Sequence, residues 1–189
     1  MTCIVAIKDK SALWMGADSA AVNGWYARTI VSDEKVFIRQ SLQGQTGFIM
    51  GVAGYPRTTQ LLRYKMNIPE IPANENDLMR YMVTAFIDAM RTCFHEAGHA
   101  RKKDNEEEFD SEILIGVNGR IFTVNTNYQI IESEKPYDAI GCGTDYALGV
   151  LYTTEKEAPR KRIKKALEAA AYFNAGVSEP FVIKKLEYV

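Results

Sequence analysis

"MTCIVAIKDKSALWMGADSAA", residues 1–21, sets two short apolar runs on either side of a charged turn. Cys3 to Ile7 and "ALWMGAD" (12–18) read as strands, with "KDKS" (8–11) as the turn of a β-hairpin. Thr2 stands directly ahead of the first strand and directly behind Met1. A small penultimate residue lets methionine aminopeptidase remove the initiator, and Thr2 then becomes the first residue. A terminal threonine carries a nucleophile and a base in one residue. Its hydroxyl attacks a carbonyl while its own α-amine, with an ordinary pKa of about 7.7–8.0, takes the proton near neutral pH.

The rest of the chain is consistent with one packed domain over 1–189. Its 189 residues suffice for a sizeable core, and 47% are hydrophobic. A net charge of -1 gives no electrostatic reason to expect nucleic acid or an acidic membrane surface as partner. Cys3, Cys93 and Cys142 are odd in number and widely spaced, which suits a reducing compartment and offers no disulfide framework. The N-terminus lacks the basic and apolar regions of a signal peptide, and no apolar run approaches the roughly 20 residues that span a bilayer. A cytoplasmic protein is the expectation.

After a Gly-containing loop, "KVFIR" (35–39) and "GFIMGVAG" (47–54) read as strands, and Pro56 opens a helix through "RTTQLLRYKM". The spacing predicts a long helix from about Asn76 to about His99. Its buried stripe would be Met79, Met82, Val83, Phe86, Ile87, Met90, Cys93 and Phe94. "RKKDNEEEFD" (101–110) reads as a solvated loop. "SEILIGV" and "RIFTVNT" form a hairpin through Asn118-Gly119, a pair suited to the positive φ angles of a type I′ turn. "YDAIGCG" leads from a strand into a helix at "TDYALGVLYTT". Another helix starts at Pro159 with Ile163, Ala166, Leu167 and Ala170 on one face, and "EPFVIKKLEYV" closes the chain as a strand.

A second motif competes for attention. His95-Glu96-Ala97-Gly98-His99 reads as H-E-x-x-H, which on a helix can hold a catalytic zinc. Yet His95 and His99 would share the polar stripe with Asp77, Arg80, Thr84, Asp88 and Arg91, so the metal would have no dry pocket. They are also the only two histidines, and a third ligand would have to be a carboxylate or cysteine. A solvated helix end is the better reading. Gly141-Cys142-Gly143 lacks the third glycine of a dinucleotide fingerprint and reads as a tight turn. The basic cluster at 160–165 reads as a solvated helix face.

The opening stretch resembles the start of proteasome β-type subunits and of the bacterial HslV peptidase, with Thr2 and Asp18 at matching positions. "SDEKVF" is similar to the segment that places the family's active-site lysine, here Lys35. "GVAGYPRTTQLL" is similar to the turn whose glycine amide forms the oxyanion hole, here Gly54. "DAIGCGTDYALGVL" and "ALEAAAYFNAGVSEPFVI" follow in the family's order. The resemblance implies an α+β fold, the four-layer αββα N-terminal nucleophile hydrolase sandwich. It implies a threonine endopeptidase with no cofactor, acting on peptides or unfolded protein inside a homo-oligomeric ring, with an ATP-dependent unfoldase as a partner. Lys35 would lower the pKa of the Thr2 hydroxyl, Asp18 would keep Lys35 charged and oriented, and Gly54 would donate to the oxyanion. Val52 would line an apolar substrate pocket.

The family pattern is not complete. Cys142 stands where the family has a serine, Asn174 where proteasome subunits have an aspartate, and Val177 where a second serine is usual, with Ser178 one residue on. Thiols are weak hydrogen-bonding groups, so support for the Thr2 amine is thinner than in the pattern. The alternative is a catalytically inactive shell or assembly subunit of the same fold. A small-molecule amidase comes third, because fold does not fix substrate.

Overall fold

The structure, a computed structural model, describes residues 1–22 and 28–188. The Gly-containing loop expected before "KVFIR" falls partly outside these residues at Gly24. Strands β1 (Cys3–Lys8) and β2 (Ala12–Ala17) form the expected hairpin. Asp9 closes its turn by accepting from the Ser11 and Ala12 amides, each at 2.8 Å. A short hairpin of β3 (Ala20–Val22) and β4 (Arg28–Ile30) follows, then β5 (Val36–Gln40) and β6 (Gly47–Gly54). Helix α1 (Pro56–Gln60) runs into a π-helical turn, Leu61–Lys65. The long helix is built from α2 (Leu78–Tyr81), a second π turn (Met82–Phe86) and α3 (Ile87–Glu96). Next come β7 (Arg101–Lys103), β8 (Glu106–Glu108), β9 (Ser111–Val117), β10 (Arg120–Val124), β11 (Ile130–Glu132) and β12 (Tyr137–Gly141). Helices α4 (Thr144–Thr153) and α5 (Pro159–Phe173) precede the last strand, β13 (Val182–Glu187).

Two antiparallel sheets carry the architecture, ordered β12-β1-β2-β13 and β11-β10-β9-β6-β5. The two-residue period of a strand sorts their side chains into three cores. On β1, Cys3, Val5 and Ile7 face α4 and α5, while Ile4 and Ala6 face the other sheet. On β6, Ile49 and Ala53 face inward, while Phe48, Met50 and Val52 pack beneath the long helix. Each sheet is thus covered on both faces. That is why these strands read as continuous apolar runs instead of alternating ones. The result is the four-layer αββα sandwich of the N-terminal nucleophile hydrolase fold.

The Asn118-Gly119 turn forms as the sequence indicates, with φ of 45° and 71° and Val117 paired to Arg120. Three expectations need correction. Residues 101–110 are not merely a loop: Asp104 and Asn105 take φ of 49° and 69° and fold the segment into the β7–β8 hairpin. The basic run then lies opposite the acidic run, Arg101 against Glu108, Lys102 against Glu107 and Lys103 against Glu106. Opposite charges facing across strands favour that pairing. In the long helix, the wide π turn rotates the apolar stripe. Leu78 and Tyr81 are buried, and Val83 is 47% exposed.

The helix also stops before His99. Gly98 takes φ of 61°, the His99 amide donates back to the Phe94 carbonyl at 2.8 Å, and the chain reverses. His95 stays exposed on the helix while His99 turns inward. Two imidazoles on one helical face, as the zinc motif requires, are therefore not formed.

Space between the sheets is tight where Gly51 faces β1. A Cβ there would meet the Ile4 Cγ2 at 2.5 Å. Gly51→Val should cost about 1–3 kcal/mol by overpacking. Gly149→Ala, with open space around an exposed position in α4, should stabilise by about 0.5–1 kcal/mol. Urea denaturation of the two variants checks both signs.

Candidate active site

Thr2, Asp18, Lys35, Gly54, Cys142, Asn174 and Ser178 come from seven separate points of the chain, and all but Ser178 sit at the end of a strand or helix. Thr2 precedes β1, Asp18 follows β2, Lys35 precedes β5, and Gly54 ends β6. Cys142 follows β12, Asn174 follows α5, and Ser178 leads into β13. Antiparallel pairing of these strands stacks their ends together.

At the centre, Lys35 Nζ lies 3.0 Å from Thr2 Oγ1 and 2.9 Å from Asp18 Oδ1. Thr2 is 5% exposed and Asp18 1%. Asp18 is saturated by donors: beside Lys35, its oxygens accept from the amides of Cys3 and Ala20 at 3.0 Å each and of Ser178 at 3.4 Å. A carboxylate held by that many donors cannot swing away from Lys35. Ser178 thus meets the site through its backbone amide, and its carbonyl accepts from the Ser19 amide.

The nitrogen of Thr2 is a peptide amide to Met1, and it donates to Cys142 Sγ at 3.3 Å. The Thr2 hydroxyl donates to the Met1 carbonyl oxygen at 2.5 Å, and Lys35 reaches the same oxygen at 3.4 Å. Met1 therefore occupies the hydroxyl and the space in front of it. Cys142 Sγ also lies 3.4 Å from the Thr2 carbonyl and 3.5 Å from Asn174 Oδ1. Asn174 reaches Thr2 only through Cys142, whose carbonyl accepts from its Nδ2 at 2.8 Å. The neighbouring thiol, Cys3, is fully buried, and burial with the nearby Asp18 charge pushes its pKa up to about 12. A thiol so buried and so weakly acidic is a poor nucleophile.

A cavity of about 300 Å³ opens beside Thr2. Val52, Ala20 and Val31 line its apolar wall, with Gly54, Asp33 and Gln60 among the other lining residues. Gly54 takes φ of 142°, and a Cβ on it would lie 2.7 Å from Ser111 Oγ and 2.5 Å from the Asp110 carbonyl. No side chain fits there.

Sequence reasoning missed what lies under this turn. Ser111 Oγ accepts from the Tyr55 amide at 2.9 Å and contacts Thr58 Oγ1 at 2.8 Å, and Thr58 Oγ1 lies 2.8 Å from His99 Nε2. Ser111 and Thr58 carry no signal beyond their positions at a strand start and a helix start. His99 was visible only as half of the zinc motif. Among the described residues, no three His, Cys, Asp or Glu side chains converge as metal ligands. Burial, aided by the nearby Arg57 guanidinium, pulls His99 below the ordinary imidazole range. Among those residues, too, no helix is long and apolar enough to cross a membrane.

The sequence matches no protein-family profile. It matches no curated protein either. Solved structures do share its fold over nearly the full chain. BPH from Thiobacillus denitrificans superposes with a TM-score of 0.76 at 17% identity, covering 98% of this chain and 97% of that one. The same protein was also solved in complex with epoxomicin, with a TM-score of 0.75 at 18% identity and 98% of both chains covered. HslV from Trypanosoma brucei gives a TM-score of 0.68 at 16% identity, with 98% and 99% covered. Anbu from Yersinia bercovieri gives 0.68 at 19%, with 97% and 80% covered. The chain thus has the fold of HslV and the Anbu subunits.

Asp18→Asn keeps the shape but leaves the Lys35 ammonium without its counter-charge, in a pair whose side chains are 12% and 0% exposed. Removing one partner of a buried pair costs about 3–5 kcal/mol. Urea denaturation should give a loss of that order for Asp18→Asn, and a smaller one for Asp18→Asn combined with Lys35→Met.

Proposed function

We propose that residues 1–189 act as one N-terminal nucleophile hydrolase domain with threonine endopeptidase activity, once Met1 is removed. The observation that carries this reading is the buried line of contacts from the Thr2 hydroxyl through the Lys35 ammonium to Asp18, beside a cavity. Removal of Met1 converts the Thr2 amide into an amine and takes away the carbonyl that holds the hydroxyl. The amine accepts the hydroxyl proton, and Lys35 stabilises the developing alkoxide. Thr2 Oγ1 adds to the peptide carbonyl, and the Gly54 amide donates to the oxyanion. The protonated amine gives its proton to the leaving amine, leaving an ester on Thr2. Water, deprotonated by the same amine, hydrolyses that ester and restores the site.

Val52, Ala20 and Val31 give the cavity an apolar wall suited to a small or medium apolar side chain at the cleaved position. Cys142 and Asn174 support the amine. No cofactor enters this scheme. The fold shared with HslV and Anbu favours assembly into a homo-oligomer. Our reading adds a closed ring acting on unfolded protein in the cytoplasm, with an ATP-dependent unfoldase as a further partner.

A second reading, an inactive shell or assembly subunit, is favoured by the long sulfur contacts of Cys142 and by the fit of Met1 against Gly176. Intact mass and a fluorogenic peptide assay separate the two. The peptidase reading expects a chain lacking Met1, with turnover that falls about a thousandfold or more in Thr2→Ala and in Lys35→Ala. A chain that keeps Met1 and turns over no peptide favours the shell subunit. Turnover that survives Thr2→Ala overturns Thr2 as the nucleophile.

A further inference from the structure

The hydroxyl–imidazole chain beneath Gly54 has a direction. Ser111 and Thr58 are 3% and 0% exposed, so each hydroxyl proton needs an acceptor within the protein. The Tyr55 amide donates to Ser111 Oγ at 2.9 Å and, at the longer distance of 3.2 Å, to the Asp110 carbonyl. With neutral His99 offering an unprotonated Nε2, Ser111 donates to Thr58 and Thr58 to His99, and every group is satisfied. With a proton on Nε2 the order inverts. His99 donates to Thr58, Thr58 donates to Ser111, and the Ser111 proton loses its acceptor in the chain. This matters for the site because Gly54 pairs with Ser111 across the sheet and the Tyr55 amide donates to the Ser111 side chain.

We propose that His99 is a positioning residue for the Gly54–Tyr55 turn, acting through Thr58 and Ser111, and that its protonation loosens the turn. This rests on the peptidase reading only in giving the turn an oxyanion to bind. The imidazole is held from several sides. The Phe94 ring packs edge-on at 5.2 Å and the Tyr55 ring stacks at 6.1 Å. The charged groups around it are Arg57 of α1, Arg101 of β7 and Asp110 ahead of β9. Arg57 and Arg101 disfavour the imidazolium and Asp110 favours it. Burial is the largest effect and sets the sign: the neutral form holds at neutral pH. The ordered chain is present above the ordinary imidazole pKa and is lost as pH falls through the lowered value in the folded protein.

Amide hydrogen exchange resolved at Tyr55, corrected for intrinsic rate, tests this on the full chain between about pH 5 and 8. In wild type the protection factor should fall about tenfold or more toward the acid end. His99→Ala and Thr58→Val should hold protection at the lower, acid-end value at every pH, with the Asp110 carbonyl as the remaining acceptor. His99→Gln offers an uncharged acceptor at the Nε2 position, and it should keep the protection and flatten the pH response. In a preparation with turnover, His99→Ala should lower kcat about tenfold and leave KM within about twofold. Tyr55 protection unchanged by both His99→Ala and Thr58→Val, or flat with pH in wild type, overturns the proposal. If wild type turns over no peptide, the peptidase reading falls, and the exchange data alone decide the role of His99.

Discussion

The ion pair between Asp18 and Lys35 is the contact on which the rest of the molecule turns. One carboxylate takes donors from the start of β1, from the start of β3, from Ser178 in the connection between α5 and β13, and from the lysine ahead of β5. A buried charge is tolerated only where such donors saturate it. In the proposed reading the demands of folding and of chemistry coincide here. The amides that make Asp18 bearable in the interior also fix where Lys35 and Thr2 meet.

That arrangement explains why the site exists with Met1 still attached. Lys35, Asp18 and the turn at Gly54 are positioned by strand ends and need nothing from the Thr2 nitrogen. What Met1 changes is local. It makes the nitrogen an amide, engages the hydroxyl, and fills the approach. Cys142 completes the surroundings with sulfur where oxygen would bind more tightly, so the nitrogen is the least firmly held part of the site.

Much of this is legible in the sequence because the signals are local. The Asn118-Gly119 turn, the apolar runs of β1, β6 and β9, and proline at the first position of α1 and α5 each follow from residue chemistry over a few positions. The spacing of Thr2, Asp18 and Lys35 is legible only through resemblance, since nothing in the three residues alone says they meet. The β7–β8 hairpin was hidden because a basic run beside an acidic one looks solvated until a tight turn folds them together. The end of α3 was hidden because an H-E-x-x-H pattern invites a continuous helix, and only the backbone at Gly98 says otherwise. The contacts of Ser111, Thr58 and His99 join residues 41 and 53 positions apart, a separation no periodicity reveals.

The central claim is that Thr2 becomes a nucleophile beside a buried lysine. Trapping the covalent intermediate tests it most directly: a slowly hydrolysed peptide ester, an acid quench, and tandem mass spectrometry of the N-terminal fragment. The account predicts an acyl group on the side chain of Thr2 in chains that begin at Thr2. An acyl group on Cys142, or none on a chain that begins at Thr2, would contradict it.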